Sequence, residues 1–510
     1  MKYIVKIFIW SVAVISCQGE REDLTPKATP VSAKVETNTG VKVSAVGVEF
    51  DPHFFSQNVT RNASASDWDI IVRRIRKMKV QQFRMMVLPE WFEPYNDDVN
   101  PQSINWSSSS LTFNSPEMQS LYKVLDLAQE DGIKVTLVMW GCGTNVRLVD
   151  PAYANLKRHF LAEGNSHTNW VVAPKNEDEW CENFSMLVQY LLNTKNYSCV
   201  KYITPYNEPN LAYFMDNSVP TDAYIAMCKK LDQRFKTDGI RDKVLFSLSD
   251  DAEDAQFLSR CTSELADVAD LFVSHTYKFD YTTKNSEMVN WEKANRQLTS
   301  AVGKDHFIGE FGSHQYIDPS NQKDIDFYER GVLMTRIILN AFNAGACGAS
   351  YWSLLDQYYW KTADHMQRLG LWRYKKEDYA SEAYYASIKG DYDVRPQYYA
   401  YSLLTRFVRA GFEVYPVNLG QDLVAGTAFK GPDNKWTYVF ANDNSRTYLA
   451  SVVNEHADTG GEYDVYRYTK EELPEPDDDS MIDISETILP KDNKIEFELK
   501  KLSVTVLKQY

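Results

Sequence analysis

Short β-branched stretches alternate with amphipathic helical stretches along most of this 510-residue chain, and that alternation restricts the fold more than any other property of the sequence. The predicted strands are 41–50, 81–88, 133–140, 200–206, 243–249, 271–275, 306–310 and 348–352. Helical periodicity fills the gaps at 67–78, 117–130, 177–192, 221–237, 254–267, 285–302 and 325–344, with a last helix over 395–410. Strands that alternate with helices build parallel sheets, and eight such units are the number that closes a (β/α)8 barrel. The other parallel architecture, an open doubly wound sheet, is disfavoured because no Gly-rich phosphate turn follows any strand. Long connections at 89–115, 141–176 and 353–394 each follow a strand. They fall on the face of a barrel where loops shape the cleft.

After Gly411 the pattern changes to short strands with no helix among them, at 414–417, 423–429, 436–442, 448–453, 463–468, 495–499 and 502–507. Period-2 runs at that spacing predict a small β-sandwich. The expected fold is therefore an α/β (β/α)8 TIM barrel over 41–411 with a C-terminal β-sandwich over 412–510. The acidic stretch from Glu471 to Asp479, broken by Pro474 and Pro476, reads as a solvated loop, with a calcium site as the alternative. No internal repeat is present.

The first residues carry a different signal. Lys2 and Lys6 precede a short apolar run from Ile7 to Ile15, too short to span a bilayer, as in a secretory signal. The run ends in Val14-Ile15-Ser16-Cys17, which resembles the lipobox of bacterial lipoproteins; the resemblance implies lipidation at Cys17 after removal of the leader. Gln18-Gly19-Glu20-Arg21-Glu22-Asp23 is similar to the acidic export tag of surface-displayed lipoproteins in Gram-negative bacteria. Residues 18–40 are polar and contain Pro26 and Pro30, so a flexible tether is expected there. The implied location is the outer membrane, lipid-anchored and facing the cell exterior, or else the periplasm. Membrane contact is through the lipid alone.

The net charge of −15 argues against a nucleic-acid partner, which requires clustered Lys and Arg. The six cysteines beyond Cys17 have no metal-ligand spacing. Cys181 and Cys199 are either bridged or, like the others, buried thiols. Thirty-two Tyr and 12 Trp supply rings for a core, and also for stacking against sugars.

Two strand ends carry carboxylates in distinctive settings. The fourth predicted strand ends in Tyr206-Asn207-Glu208-Pro209-Asn210 and the seventh in Ile308-Gly309-Glu310-Phe311-Gly312. Cleaving a glycosidic bond takes an acid for the leaving oxygen and a carboxylate facing the anomeric carbon. Residues 208 and 310 can supply that pair only if a closed barrel turns both strand ends into one cleft. Asn-Glu-Pro after strand four with a second Glu ending strand seven resembles the signature of the clan A glycoside hydrolases, and the barrel pattern extends the resemblance over most of residues 41–411.

The resemblance implies a retaining mechanism with Glu208 as acid/base and Glu310 as nucleophile, and no metal or cofactor. Glu208 is expected to start the cycle protonated, its pKa raised by poor solvation and a nearby anion. It also implies that Asn207 binds the sugar 2-hydroxyl and that Arg84, on strand two, holds the nucleophile ionised. His275 and Tyr277 match a His-x-Tyr motif in which Tyr bonds the nucleophile. Trp352 takes the place of the aromatic floor under the sugar. Trp140 and Asn145 after strand three are further candidates for substrate contact, as are Glu49, Asp51, Asp250 and His314. The sandwich resembles that of families 30 and 39, with family 5 also compatible.

The expected activity is hydrolysis of a β-linked oligo- or polysaccharide. An α-L-arabinofuranosidase or a transglycosylase fits the same residues, and a carbohydrate-binding protein on an inactive barrel is the rival from another class.

Overall fold

The computed structural model describes residues 28–52, 63–140, 160–161, 174–211, 221–318, 321–358, 366–456, 460–474, 479–492 and 494–510. The leader with Cys17, and the substrate-contact candidate Asn145, lie outside the described residues.

Eight parallel strands close a barrel, and all eight are the predicted ones. In order they are Ala45–Glu49, Gln82–Val87, Lys134–Met139, Val200–Thr204, Leu245–Ala252, Leu271–Thr276, Asp305–Phe311 and Gly348–Tyr351. The eighth pairs with the first, in register Gly348 to Ala45, so the sheet has no free edge. Strand one sets Glu49 directly beside Arg84 of strand two. Strand six sets His275 beside Glu310 of strand seven. These neighbours belong to the closed sheet and require no loop to bring them together.

Local chemistry starts and stops the surrounding helices. Ser64 caps the helix Ala65–Met78 through a reciprocal box with Asp67, and Ser115 caps Pro116–Asp131 with proline at the first turn. Gly132 and Gly345 end their helices in the left-handed conformation that glycine adopts without a Cβ penalty. The helix predicted over 177–192 ends at Gln189 and passes into a wide turn, Tyr190–Thr194.

The C-terminal strands join one nine-stranded, mostly antiparallel sheet folded as a sandwich. Its strand Trp436–Asn442 is buried on both faces. Tyr438 and Phe440 enter the sandwich core, while the alternating Val439 and Ala441 join the core shared with the barrel. The helix Tyr328–Ala344 forms the joint: Tyr328 stacks on Tyr468 at 4.5 Å, and its hydroxyl donates to the Leu502 carbonyl at 2.7 Å. The connection after strand eight is pinned by Arg395, whose two Nη atoms each donate to Asp356 at 2.7 Å and whose Nε donates to Asp326 at 2.8 Å.

One expectation is corrected and one open alternative is decided. Residues 29–35, assigned to a tether, form the strand Thr29–Val35, which pairs antiparallel with Glu413–Asn418 and parallel with Tyr448–Val453. Only Ala33 and Val35 of its seven residues are buried, so its apolar signal is weak; the backbone ladder holds it. Cys181 and Cys199 are free, each buried against a different carbonyl, Met227 for one and Leu125 for the other. A further strand, Ile484–Ile488, lies at an exposed sheet edge and had no alternation to betray it.

Because the strand Thr29–Val35 is stitched between two others, removal of residues 1–40 is expected to lower the melting temperature by about 5 °C, whereas removal of residues 1–27 leaves it unchanged. Differential scanning calorimetry of the two truncations decides this; equal melting temperatures would restore the tether.

Candidate active site

The barrel opens onto a cluster of charged residues centred on Arg84, whose guanidinium is 2% exposed. Its Nη1 donates to Glu310 Oε1 at 2.7 Å and to Glu49 Oε2 at 2.9 Å. Its Nη2 donates to Asp250 Oδ2 at 2.7 Å and to Asn207 Oδ1 at 2.8 Å. Strands one, two, five and seven and the segment after strand four thus meet at one cation. Burial works against the charge on Arg84, yet Asp250, Glu49 and Glu310 together hold its pKa well above the usual arginine value.

His275 is a second centre. Its Nδ1 lies 2.7 Å from Glu208 Oε1 and 3.6 Å from Glu310 Oε2, and its Nε2 lies 3.1 Å from Asp250 Oδ1. Burial disfavours the imidazolium, but Glu310 and Asp250 outweigh burial and raise its pKa well above the ordinary value. As the cation, it donates from both ring nitrogens. Burial also pushes Asp250 towards neutrality, but Arg84 and His275 prevail and hold it below the usual carboxylate range. Burial raises the Glu310 pKa, with Glu208 and Asp250 adding to the rise, while His275 and Arg84 pull it down.

Glu310 sits in the seventh strand and Glu208 four residues past the fourth. Donor and acceptor atoms of Glu208, His275 and Glu310 all lie within 4.8 Å of one another. Tyr277 donates its hydroxyl to Glu310 Oε2 at 2.9 Å, so each oxygen of that carboxylate holds one donor. The geometry that could bind a cation here is already occupied by charge: Arg84 takes Glu310, and His275 takes Glu208.

Backbone conformation aims these groups. Glu208 has φ 44° and donates its N–H to the Asp250 carbonyl at 3.1 Å. Asp250 itself has φ 51°, in a strand whose register with the next shifts between Ser249 and Asp251. Left-handed conformations at non-glycine residues cost about 1–3 kcal/mol each and persist where surrounding bonds fix them. Gly309 lets the two centres approach: a Cβ there would lie 3.0 Å from Asp250 Oδ1, 3.1 Å from His275 Nε2 and 2.6 Å from Val273 Cγ1.

Of the residues singled out in the sequence, Arg84, Asn207, Glu208, His275, Tyr277 and Glu310 are brought together. Glu49 and Asp250 join them. Trp140 and Trp352 are buried at the ends of strands three and eight, 6% and 7% exposed. Asp51 serves the framework, accepting from the Met86 N–H at 2.6 Å, and His314 is exposed. Glu253 is a residue that sequence reasoning missed: its Oε1 accepts the N–H groups of Tyr277 and Lys278, both at 2.6 Å, and so fixes the Tyr277 backbone. The run Asp250-Asp251-Ala252-Glu253-Asp254, four acids closing a strand, was the available signal.

No protein-family model matches the sequence, and neither does any curated protein. Solved structures match it in three dimensions. The catalytic domain of the GH30 xylanase C from Talaromyces cellulolyticus superposes with a TM-score of 0.61 at 13% identity, covering 94% of this chain and 100% of that one. The α-L-arabinofuranosidase from Thermotoga maritima, in its arabinose complex, gives 0.60 at 13% identity over 94% and 99%. A glucosidase from Croceicoccus marinus gives 0.59 at 9% identity over 94% and 98%. Barrel and sandwich together are therefore the fold of these glycoside hydrolases, as the sequence resemblance led us to expect.

Arg84→Met would leave Glu49, Asp250 and Glu310 buried without their shared cation. The expected loss is about 3–5 kcal/mol at pH 7 in urea unfolding followed by tryptophan fluorescence. The deficit should shrink towards pH 5, where protonation relieves the unpaired acids; a loss independent of pH would show that packing, not charge, had been removed.

Proposed function

We propose that this protein is a retaining glycoside hydrolase that cleaves a β-linked glycan through a covalent glycosyl-enzyme intermediate. The observation that carries the reading is the pair of oxygens from Glu208 and Glu310 within 4.8 Å, with His275 facing both. Oxygens that close suit the carboxyl separation of about 5–5.5 Å in retaining enzymes better than the about 6.5–9.5 Å by which inverting enzymes leave room for a water molecule.

In the first step a Glu310 oxygen attacks the anomeric carbon as Glu208 passes its proton to the departing oxygen. Arg84 and Tyr277 hold the attacking carboxylate from one oxygen each, which fixes its plane against the sugar. In the second step the Glu208 carboxylate takes a proton from water, which displaces the sugar from Glu310 with net retention. Asn207 accepts from Arg84 through its Oδ1, and its amide nitrogen is proposed as the donor to a sugar hydroxyl. Trp352 is proposed as the floor of the subsite and Trp140 as a flank.

We extend the proposal to location. Lipidation at Cys17 would hold the enzyme at the outer membrane, and the strand beginning at Thr29 would then start within about 43 Å of the anchor, the reach of 12 extended residues.

Hydrolysis of a panel of β-glucans, mannans, xylans, galactans and arabinofuranosides, with NMR of the first anomer released, tests the reading; an inverted anomer would overturn it. Glu310→Ala should abolish turnover of every accepted substrate. Glu208→Ala should cost about 10²–10⁴-fold on substrates with poor leaving groups and far less on dinitrophenyl glycosides, with azide rescuing the second step. Equal loss on all substrates without rescue would remove Glu208 from the acid/base role.

A further inference from the structure

Two carboxylates share one nitrogen of Arg84. Glu310 Oε1 and Glu49 Oε2 both accept from Nη1, at 2.7 and 2.9 Å, while Asp250 takes Nη2. Glu49 is 1% exposed, and its other oxygen, Oε1, is buried with no hydrogen-bond partner among the described residues. An ionised carboxylate with an unsatisfied buried oxygen is costly, whereas a protonated one loses far less.

The charge count leads the same way. With Glu208 carrying the proton it will donate, Arg84 and His275 contribute two positive charges, and ionised Glu49, Asp250 and Glu310 three negative ones. One proton shared between Glu49 and Glu310 makes the buried set neutral. A nucleophile must be the member without it. When Glu310 then becomes an ester its charge disappears, and Nη1 of Arg84 faces no anion unless Glu49 supplies one.

We propose that Glu49 and Glu310 are alternate anionic partners of Arg84: Glu49 holds a proton while Glu310 is a free carboxylate, and releases it to solvent when Glu310 is bonded to the sugar. The proposal rests on Glu310 being the nucleophile. The triad of Glu49, Arg84 and Glu310 stays neutral throughout: the O–H bond of Glu49 breaks, its proton passing to solvent, as the ester bond forms. Glu49 takes a proton back from solvent when hydrolysis, whose water proton goes to Glu208, frees the Glu310 carboxylate. Glu49 is thus a positioning residue, acting through Arg84. The ionisable groups that bear on it are Arg84, Asp51 and Glu310. Burial lifts its pKa well above the ordinary value against the pull of Arg84, and Asp51 and Glu310 push it further up.

Glu49→Gln tests both halves. A carboxyl with a raised folded-state pKa contributes stability that is present below its unfolded value and lost as pH rises towards the folded value. The variant is neutral at every pH, so its melting temperature relative to the parent protein should rise steadily from pH 5 to pH 8. If Glu49 is instead an ion-paired anion, the variant will be the less stable one at pH 7 and the gap will close towards pH 4, which overturns the proposal.

The second measurement is proton release in weak buffer on labelling with 2,4-dinitrophenyl 2-deoxy-2-fluoro-β-D-glucoside, -xyloside or -galactoside. The parent protein should release about one proton per labelled chain more than Glu49→Gln; equal release overturns the alternation. If no probe labels Glu310 while the stability trend holds, the nucleophile reading fails and the alternation with it, and the resting proton on Glu49 stands alone.

Discussion

A single buried guanidinium organises this molecule's cleft. Arg84 enters the barrel from its second strand, where an unpaired cation would be prohibitively costly, and the closed sheet surrounds it with acids from strands one, five and seven. The dependence is mutual, because without Arg84 those buried carboxylates would repel one another with little solvent to screen them. Such a cluster does not arise from propensity. It requires that the barrel close first, since Glu49 and Arg84 are register partners in the sheet, while Asp250 and Glu310 arrive from the other side. The hydrophobic layers between barrel and helices provide the driving force, and the ionic cluster then constrains which arrangement of the strand ends is acceptable.

Backbone geometry completes what charge begins. Glu208, Asp250 and Glu253 all adopt left-handed conformations, within or just beyond strands that otherwise run regularly. Their strain is offset by bonds that link them to one another and to the site: the Glu208 N–H to the Asp250 carbonyl, and the Glu253 carboxylate to the Tyr277 backbone. Gly309 matters for the same reason, since any side chain there would push apart the strands carrying Asp250 and His275. The connection beyond strand eight is fixed by a different device, the bidentate pair of Arg395 and Asp356, which ties it to the start of the final helix.

How much of this could be read in advance follows from the physics of each signal. The eight barrel strands were legible because nearly all are buried on both faces, which writes a run of apolar and β-branched residues; in the fourth, Val200–Thr204, only Lys201 is exposed. Glu208 and Glu310 were legible because chemistry restricts the residues around them. The strand Thr29–Val35 was not, since five of its seven residues are at least partly exposed and its stability comes from ladders with partners about 400 positions away. Asp250 was legible only as one substrate-contact candidate among several, and Glu253 not at all, for another reason. An acidic residue after a strand reads as a solvated end, and only the left-handed turn that redirects Asp250 inwards makes it a partner of both Arg84 and His275.

The two cations also fit the direction in which charge must move. In the proposed first step negative charge leaves Glu310 as the ester forms and appears on Glu208 as its proton departs. His275 Nδ1 already faces both, at 3.6 Å from one and 2.7 Å from the other, so the imidazolium stabilises the anion at the start and at the end of its transfer without moving. Asp250 keeps the ring in place from the opposite nitrogen. A cluster that held charge on Glu310 alone would have to reorganise at each step, with a corresponding barrier. Here Arg84 favours the anion on Glu310, and His275 is placed to receive it on Glu208. In the proposed mechanism the same fixed dipoles and charges would serve both steps, which are each other's reverse in charge.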